Sequence, residues 1–328
     1  MFDSAGGVRQ AHALHHGSIV VDAHCDTLIN LLEGTRQFAV QQDFGHLDLP
    51  RLRQGGVKVQ FFAAFVHPRF RYRAMSRVLE IIDVFYEKLL PAPGVAHVTS
   101  ASDVLKALAE NKVACLLTVE GGEALEGSLV NLRILHRLGV RALTLTWNGR
   151  NEIGDGVGEG SHSAGLSSFG RQVVAEMNRL GMIIDVSHLA EAGFWDVVHN
   201  SAKPFMASHS NSRQLCDHPR NLSDEQVRAI ANAGGVIGLT FVPDFVDQNK
   251  PCLERLLDHV DHLIKVGGED CLGLGSDFDG FEGALDGLED VSRLKFFTEG
   301  LFRRGYKTAV VEKILGGNFM RLIKDTLG

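Results

Sequence analysis

The sequence lacks the features that mark several large classes of protein. Its five cysteines, an odd number in a chain of 328 residues, form no CxxC pair. This argues against a disulfide framework or a structural zinc knuckle, and a reducing cytoplasm is the expected compartment. No apolar run is long enough to span a bilayer, the N-terminal stretch lacks the apolar core of a signal peptide, and the C-terminus lacks the hydrophobic tail of a lipid-anchor signal. We therefore expect no membrane association.

Concentrated charge is also missing. The 33 basic and 40 acidic residues give a net charge of −7, and no block of like charge occurs. This balance argues against nucleic acid or an anionic membrane surface as a partner. No linker rich in proline, glycine or serine divides the chain. We predict a single domain over residues 1–328, because (β/α)8 barrels reach this length as one domain.

Eight short β-rich segments recur along the chain, and helical patterns lie between them. The segments read "SIVVDAH", "VKVQFFAAFV", "VACLLTVE", "RALTLTW", "GMIIDVSH", "PFMASHS", "GGVIGLTFV" and "DCLGLGSDF". Most are almost continuously apolar, which is typical of parallel strands covered on both faces. Ser223 and Gln226 form a candidate capping box before one of the helices. The alternation predicts an α/β fold, a single (β/α)8 TIM-type barrel. The alternative, a doubly wound open sheet, usually has a glycine-rich phosphate loop after its first strand, and "AHCDTLINLLEG" is not one.

Groups that bind metals or move protons stand at the ends of five of these strands. They are His24 with Asp26, Glu120, His188, His209, and Asp277 with Asp279. In a barrel of this kind the strand ends meet at the C-terminal face, so these distant residues would converge at one mouth. Because alternate strand residues point the same way, His24 and Asp26 would project together, about 6–7 Å apart. Cys25 would point into the packing behind the barrel.

The residue types in this set predict a metal site at the C-terminal face. A single histidine at a strand end is more often a hydrogen-bonded core residue, but three at separate strand ends, accompanied by acids, favour metal binding. Imidazole and carboxylate ligands without a thiolate suit zinc, manganese, cobalt or iron better than magnesium or calcium. Ligands from so many strands fit a pair of ions that share Glu120, about 3.5–4 Å apart, better than a single ion.

Several neighbouring residues have competing interpretations. Asp22 lies on the side of His24 but deeper, and we interpret it as a supporting residue. Asp279 is interpreted as a turn residue before a glycine. Arg220 is either a solvated loop charge or, because it follows the sixth strand near His209, a functional group. The glycine-rich stretch "NEIGDGVGEGSHSAG" lies between a strand and a helix and is interpreted as an active-site loop.

The ordered series of motifs resembles the membrane dipeptidase (renal dipeptidase) family, metallopeptidases of the amidohydrolase-like barrel group. The motifs are "VDAHCDT", "LDLPRLRQGGVKVQFFAAFV", "VEGG", "LTLTWN", "DVSH", "SHS", "RNLSDE", "GSDFDG" and "GGNFMRL", in the family's order and over almost the whole chain. The resemblance implies a zinc-dependent dipeptidase that forms a homodimer. It also implies that His24 and Asp26 bind the first zinc ion, that Glu120 bridges both, and that His188 and His209 bind the second. Manganese or cobalt could replace zinc.

The same resemblance implies roles for residues that contact the substrate. Arg220 would hold the free carboxylate of a dipeptide, and Asp277 would hold its free amino group and shuttle a proton. One position departs from the family. Members of the mammalian type have a histidine after the fourth strand that contacts the scissile carbonyl, whereas this chain has Trp147 and Asn148 there. Asn148 or Asn151 is the candidate replacement donor.

The predicted reaction is hydrolysis of a dipeptide into two amino acids. A water bound by both ions would lose its proton near neutral pH and attack the peptide carbonyl, with Glu120 and Asp277 as the catalytic residues. The resemblance also implies tolerance of a D-residue at the C-terminal position. Two other classes stay open: another barrel hydrolase, such as a deaminase, a lactonase or an N-acyl amino acid amidase, and a catalytically inactive binding homologue. Many of the other barrel hydrolases have His-x-His at the first strand, where this chain has His24 and Asp26.

Overall fold

The computed structural model describes residues 5–328, and a ring of parallel strands forms its centre. The strands are β1 (Val20–Asp22), β2 (Val57–Phe65), β3 (Val95–His97), β4 (Val113–Glu120), β5 (Val140–Thr144), β6 (Ile183–Asp185), β7 (Met206–Ala207), β8 (Val236–Leu239) and β9 (Leu272–Leu274). Their order in the sheet is β2-β1-β9-β8-β7-β6-β5-β4, and β4 pairs with β2 to close the ring. The predicted (β/α)8 barrel is therefore confirmed, with its eight strands at the eight predicted segments.

One strand, β3, lies outside the eight predicted segments. It pairs with the first three residues of β4, from Val95 opposite Val113 to His97 opposite Cys115. It therefore lies beside the beginning of a barrel strand and is not a member of the ring.

Helices surround the barrel and occupy most of the chain between the strands. They are α1 (Ala5–Gly17), α2 (Thr27–Leu32), α3 (Leu49–Gln54), α4 (Ala74–Val84), α5 (Ala101–Ala109), α6 (Leu129–Arg137), α7 (Ser168–Leu180), α8 (Glu191–Asn200), α9 (Asp224–Asn232), α10 (Pro243–Val246), α11 (Leu253–Gly267), α12 (Leu294–Arg303), α13 (Thr308–Glu312) and α14 (Asn318–Leu327). The predicted capping box begins α9, where Ser223 and Gln226 bond each other's backbone N–H groups. Between residues 5 and 328, no helix combines the length and the apolar character that crossing a membrane requires.

Three strands approach one another closely near the barrel mouth. A β-carbon at Gly238 or at Gly275 would overlap the carbonyl oxygen of Ser208. Glycine at both positions allows the backbones to make this contact, which any side chain would prevent. Ser208 directly precedes His209, and Gly275 lies two residues before Asp277. The contact therefore fixes the positions from which these two side chains extend into the mouth.

Candidate metal centre

Six side chains predicted to serve the site meet at the C-terminal mouth of the barrel. His24 and Asp26 follow β1, Glu120 ends β4, His188 follows β6, His209 follows β7 and Asp277 follows β9. All six are buried, with at most 9% of each residue exposed. Residues up to 253 positions apart in sequence thus share one buried cluster, as the barrel hypothesis requires.

One half of the cluster is built around His24. Its Nε2 atom lies 3.4 Å from Glu120 Oε2, 3.6 Å from Asp26 Oδ2 and 3.7 Å from Asp277 Oδ1. These separations exceed ordinary hydrogen-bond lengths, and both His24 Nε2 and Asp26 Oδ1 are buried without a hydrogen-bond partner. Buried polar atoms without partners are rare in folded proteins and call for an explanation. A cation between these ligand atoms would satisfy them.

The other half is built around the second oxygen of Glu120. Oε1 lies 2.9 Å from His188 Nε2 and 3.6 Å from His209 Nε2, and the two imidazole nitrogens are 2.9 Å apart. The three ligand atoms lie within 4.8 Å of one another. The carboxylate of Glu120 therefore offers one oxygen to each of two adjoining sets of metal-ligand atoms.

Polar partners behind two of the histidines set the orientation of their rings. His209 Nδ1 lies 2.7 Å from Ser208 Oγ, which donates to Asp185 Oδ2 at 2.6 Å. His188 Nδ1 lies 2.7 Å from Asn148 Oδ1. An Nδ1–H that donates to such an oxygen leaves Nε2 with a free lone pair, the form in which histidine binds metals. Both rings thus present their acceptor nitrogen to Glu120.

The pKa values of the cluster reflect burial and mutual charge. Burial lowers the pKa of His188 to about 4 and that of His209 well below its usual value, and the nearby Arg220 cation acts in the same direction. Burial would also lower the pKa of His24, but the carboxylates of Glu120 and Asp26 together outweigh it and raise that pKa well above the usual range. Glu120 shows the converse: burial would raise its pKa, but His24 and His188 hold it low. The side of His188 and His209 therefore combines two neutral imidazoles with an ionised carboxylate, as metal binding requires, whereas a cation bound beside His24 would displace a proton from that ring.

Asp277 is the acid most disposed to carry a proton. Burial raises its pKa well above the usual value, and the carboxylates of Asp26 and Glu120 act in the same direction. Its backbone has a positive φ of 64°. Gly280 makes room for it, because a β-carbon there would overlap the carboxylate oxygens of both Asp277 and Asp26. The turn after β9 therefore holds two acids close together at the mouth.

Arg220 is a buried cation in the wall of the site and not a solvated loop charge. Its residue is 4% exposed, and its Nη2 donates to the carbonyl oxygen of His209 at 3.1 Å. Its Nε is buried and has no hydrogen-bond partner. Burial lowers the pKa of Arg220 to about 10, which leaves the guanidinium charged at neutral pH. The group therefore keeps capacity for an anionic ligand.

A cavity of about 300 Å³ opens above the ligand cluster and contacts Glu120, His188, Arg220 and Asp277. Its apolar wall consists of Ile29, Phe65, Trp147, Val242, Phe245 and Phe281. Sequence reasoning did not assign this wall, because nothing in the strand-end pattern distinguishes these apolar residues from core residues. A mostly apolar cleft with a few convergent polar groups is typical of a small-molecule site.

The two asparagines considered as carbonyl donors have different surroundings. Asn148 lines the cavity, and its Oδ1 bonds the ring of His188. The amide of Asn151 is used within its own loop: its Nδ2 donates to Leu145 O at 3.0 Å, and its Oδ1 accepts from the backbone N–H of Ile153 at 2.8 Å. Asn151, unlike Asn148, is not among the residues that line the cavity.

Two further acids support the mouth from behind. Asp22 accepts bonds from the backbone N–H and the hydroxyl of Ser276, at 2.8 and 2.7 Å, which agrees with its interpretation as a deeper residue. Asp279 has a φ of 69°, and its carboxylate accepts from Thr27 at 2.7 Å and pairs with Arg36 at 2.6 Å. The interpretation of Asp279 as a turn residue is confirmed, and its carboxylate also anchors the segment after β1.

The supporting pair Asp185 and Ser208 was missed at the sequence level. A signal was present, because "IIDVSH" places an aspartate before a strand-end histidine as "VVDAH" does, and "SHS" places a serine beside the next one. Asp22 with Ser276 and Asp185 with Ser208 are two instances of one arrangement, in which a serine hydroxyl donates to an aspartate of a neighbouring strand.

Buried imidazoles and carboxylates at the C-terminal mouth of a (β/α)8 barrel define the class of barrel enzymes that hydrolyse their substrates with bound metal ions. The chain belongs to the membrane dipeptidase family (peptidase family M19), whose family model matches residues 8–327.

Related proteins agree with this assignment. Dipeptidase tcpJ of Claviceps purpurea (strain 20.1) is 33% identical to the chain, over 93% of this chain and 76% of its own length. Dipeptidase 3 of Rattus norvegicus is 34% identical, over 96% of this chain and 67% of its own length. The crystal structure of a metallopeptidase from Rhodobacter sphaeroides, liganded with a phosphinate mimic of the dipeptide L-Ala-D-Ala, superposes with a TM-score of 0.87 and is 32% identical, over 94% of this chain and 99% of its own.

Proposed function

We propose that this protein is a metal-dependent dipeptidase that uses two zinc ions, one held by His24, Asp26 and Glu120 and the other by Glu120, His188 and His209. The observation that carries the proposal is the bridging position of Glu120, whose Oε2 lies 3.4 Å from His24 and whose Oε1 lies 2.9 Å from His188. Membership of the dipeptidase family supports the reaction class. Nitrogen and oxygen ligands without a thiolate support zinc, with manganese or cobalt as substitutes.

The charged groups of the cavity match the two ends of a dipeptide. Arg220 is a buried cation whose Nε has no partner, and a planar guanidinium suits the free carboxylate of the substrate. Asp277 and Asp26 supply negative charge near Gly280, which suits the free amino group. A cavity of about 300 Å³ closed by such groups favours two residues over a longer peptide. The related structure with a mimic of L-Ala-D-Ala supports this substrate class and our proposal that a D-residue is accepted at the C-terminal position.

The residues around the cluster divide the chemical tasks. Bound cations at such a site lower the pKa of water and polarise a carbonyl group. Arg220 holds the carboxylate end, so that the peptide bond lies over the ligand cluster. Asp277 binds the amino group as a carboxylate. Because burial raises its pKa, it takes up the proton that the attacking water releases and passes it to the leaving nitrogen. The apolar side chains of Phe65, Trp147 and Phe245 exclude bulk water.

Comparing free with N-acetylated dipeptides of the same sequence tests this function. We expect hydrolysis of the free dipeptide and a large loss of kcat/KM on acetylation, because the acyl group removes the positive charge that Asp277 and Asp26 would bind. Equal rates would favour an N-acyl amino acid amidase. No turnover of any member of a dipeptide panel that varies chirality at each position, by fully metal-loaded protein, would favour an inactive binding homologue.

We further propose a homodimer in the cytoplasm. All five cysteines are free, in accord with a reducing compartment, and the family resemblance supports the dimer. Sedimentation equilibrium of the purified protein tests the oligomeric state, and fractionation of the source cells tests the location. A monomer, or recovery outside the cytoplasm, would contradict the respective proposal.

A further inference from the structure

The glycine-rich loop that follows β5 contacts Asn148 and His188 at the same time. The backbone N–H of Gly158 donates to the carbonyl oxygen of Asn148 at 2.7 Å. The N–H of the preceding residue, Val157, donates to the carbonyl oxygen of His188 at 2.9 Å. Two successive loop residues thus tie together the backbones of a residue after β5 and a residue after β6.

Glycine is required in this loop for close contact. A β-carbon at Gly156 would overlap the carbonyl oxygen of Trp147, and a β-carbon at Gly158 would lie 2.6 Å from the carbonyl oxygen of Asn148. Neither glycine has a positive φ, so space and not backbone conformation explains the residue type. We call Gly156–Gly158 together with Asn148 the clamp.

His188 needs such support because its backbone is strained. Its φ is 68°, in the left-handed region that residues other than glycine seldom adopt. Residues in this region persist only when surrounding contacts hold them, and they are common at functional sites. For His188 the contacts are the backbone bond from Val157 and the side-chain bond to Asn148.

The side-chain bond also decides which nitrogen of His188 faces the ligand cluster. The amide oxygen of Asn148, 2.7 Å away, accepts from Nδ1–H. The lone pair is then on Nε2, which lies 2.9 Å from both Glu120 Oε1 and His209 Nε2. Asn148 thus acts on the ring, while Gly156–Gly158 acts on the two backbones.

The other half of the cluster is held by different contacts. The backbone N–H of Asp26 donates to Phe278 O at 2.9 Å, and the N–H of Asp277 donates to His24 O at 3.2 Å. These bonds join β1 to the turn after β9. A change in the clamp is therefore expected to displace the ligand atoms of His188 before those of His24 and Asp26.

We propose that the clamp positions His188 as a ligand and sets the affinity of the His188–His209 side for its cation, while it leaves the affinity of the His24–Asp26 side unchanged. Asn148 is on this view a positioning residue and not the donor to the substrate carbonyl that the sequence suggested. The proposal rests on the proposed function, because it assumes that each side of Glu120 holds a cation.

Calorimetric titration of the metal-free protein with zinc tests the proposal. For Asn148→Ala we expect one binding step to weaken roughly 10–100-fold, the usual effect of removing a partner of a metal-bound histidine, and the other step to stay within about 3-fold of wild type. Asn148→Asp keeps an acceptor oxygen and is expected to restore the weakened step. Gly158→Ala should act like Asn148→Ala, whereas Gly149→Ala, with no atom near its added β-carbon, is the matched silent control.

A second measurement reports the ring of His188 directly, in the zinc-loaded protein. Long-range ¹H–¹⁵N spectra identify the Nδ1–H of His188 and show how fast it exchanges with water. We expect slow exchange in wild type and in Asn148→Asp, and fast exchange in Asn148→Ala, because that variant lacks the acceptor for Nδ1–H. The His209 signal, supported by Ser208, should not change.

The outcomes separate this proposal from the proposed function. Wild-type zinc steps in Asn148→Ala, equal weakening of both steps, or unchanged exchange of the His188 Nδ1–H would each overturn the clamp. A wild-type protein that binds no zinc would instead overturn the proposed function. If wild type binds a single ion, the pair of ions is wrong, and the exchange of the His188 Nδ1–H alone decides the role of Asn148.

Discussion

Each end of the barrel buries a histidine, but the two histidines differ in whether their ring nitrogens are hydrogen-bonded. At the N-terminal end His15, in α1, is fully buried, with Nδ1 2.7 Å from Thr298 Oγ1 and Nε2 2.7 Å from Gly55 O. At the C-terminal end His24 is 2% exposed, but its Nε2 has no hydrogen-bond partner and faces three carboxylates. Burial is therefore no mark of a metal ligand. What distinguishes His24 from His15 is a buried ring nitrogen that no hydrogen bond uses, among three carboxylates.

The largest effect should come from neutralising the carboxylate shared by both ligand sets. Glu120→Gln keeps the shape but removes the charge that bridges the two halves. We expect dipeptide hydrolysis to fall roughly 10³-fold, because metal stabilisation of the developing charge is worth several kcal/mol. Steady-state kinetics measure this loss, and zinc analysis measures how much metal the variant keeps. Glu110→Gln, at an exposed surface glutamate, is the control. Activity within 10-fold of wild type would place the chemistry elsewhere.

A smaller loss should follow from crowding the acids on the other side of the mouth. In Gly280→Ala the new β-carbon would overlap carboxylate oxygens of Asp26 and Asp277. We expect kcat to fall roughly 10²-fold, since a displacement of about 1 Å at reacting groups has this effect. Gly17→Ala adds a β-carbon in open space and should be silent. Unchanged kcat in Gly280→Ala would mean that neither acid must keep its position.

Sequence reasoning predicted the barrel because its strands are apolar, short and bounded by turn residues. It missed β3 because "VAH" is partly exposed and pairs outside the ring. Residues placed at strand ends, such as His24 and Glu120, could be brought together from topology alone. The period-two geometry of a strand and the common face of a parallel barrel fix their direction.

The rest of the site depends on contacts between loops, which local patterns do not encode. Asn148 was expected to contact the substrate, and it does line the cavity, but nothing in the sequence indicates that its side chain also bonds His188. Arg220 looks like a loop charge in sequence, and only the fold shows that it is buried beneath the cavity. Such positions follow from tertiary packing and have no periodicity to reveal them.

At the N-terminal end, removal of a histidine should affect folding and not catalysis. His15→Leu fills the same space but leaves Gly55 O and the hydroxyl of Thr298 buried without a partner. Each such loss costs about 1–3 kcal/mol, so we expect the free energy of unfolding to fall by roughly 2–6 kcal/mol. Urea denaturation measures this, and kcat per folded molecule should be unchanged. A large loss of kcat with full stability would remove the distinction between the two ends of the barrel.

The smallest effect is the pH dependence that His15 gives to stability. Burial lowers its pKa from 6.5 to about 4 in the folded protein. Between these values the unfolded chain binds a proton that the folded chain does not, so acid favours unfolding. The contribution is fully present above pH 6.5 and is lost as the pH falls toward 4, up to about 3 kcal/mol. His15→Gln can keep both hydrogen bonds but cannot titrate, so the difference in unfolding free energy between it and wild type should change with pH only in this window. A constant difference from pH 4 to 7 would show that His15 does not resist protonation, and the two ends of the barrel would then differ less than their hydrogen bonds indicate.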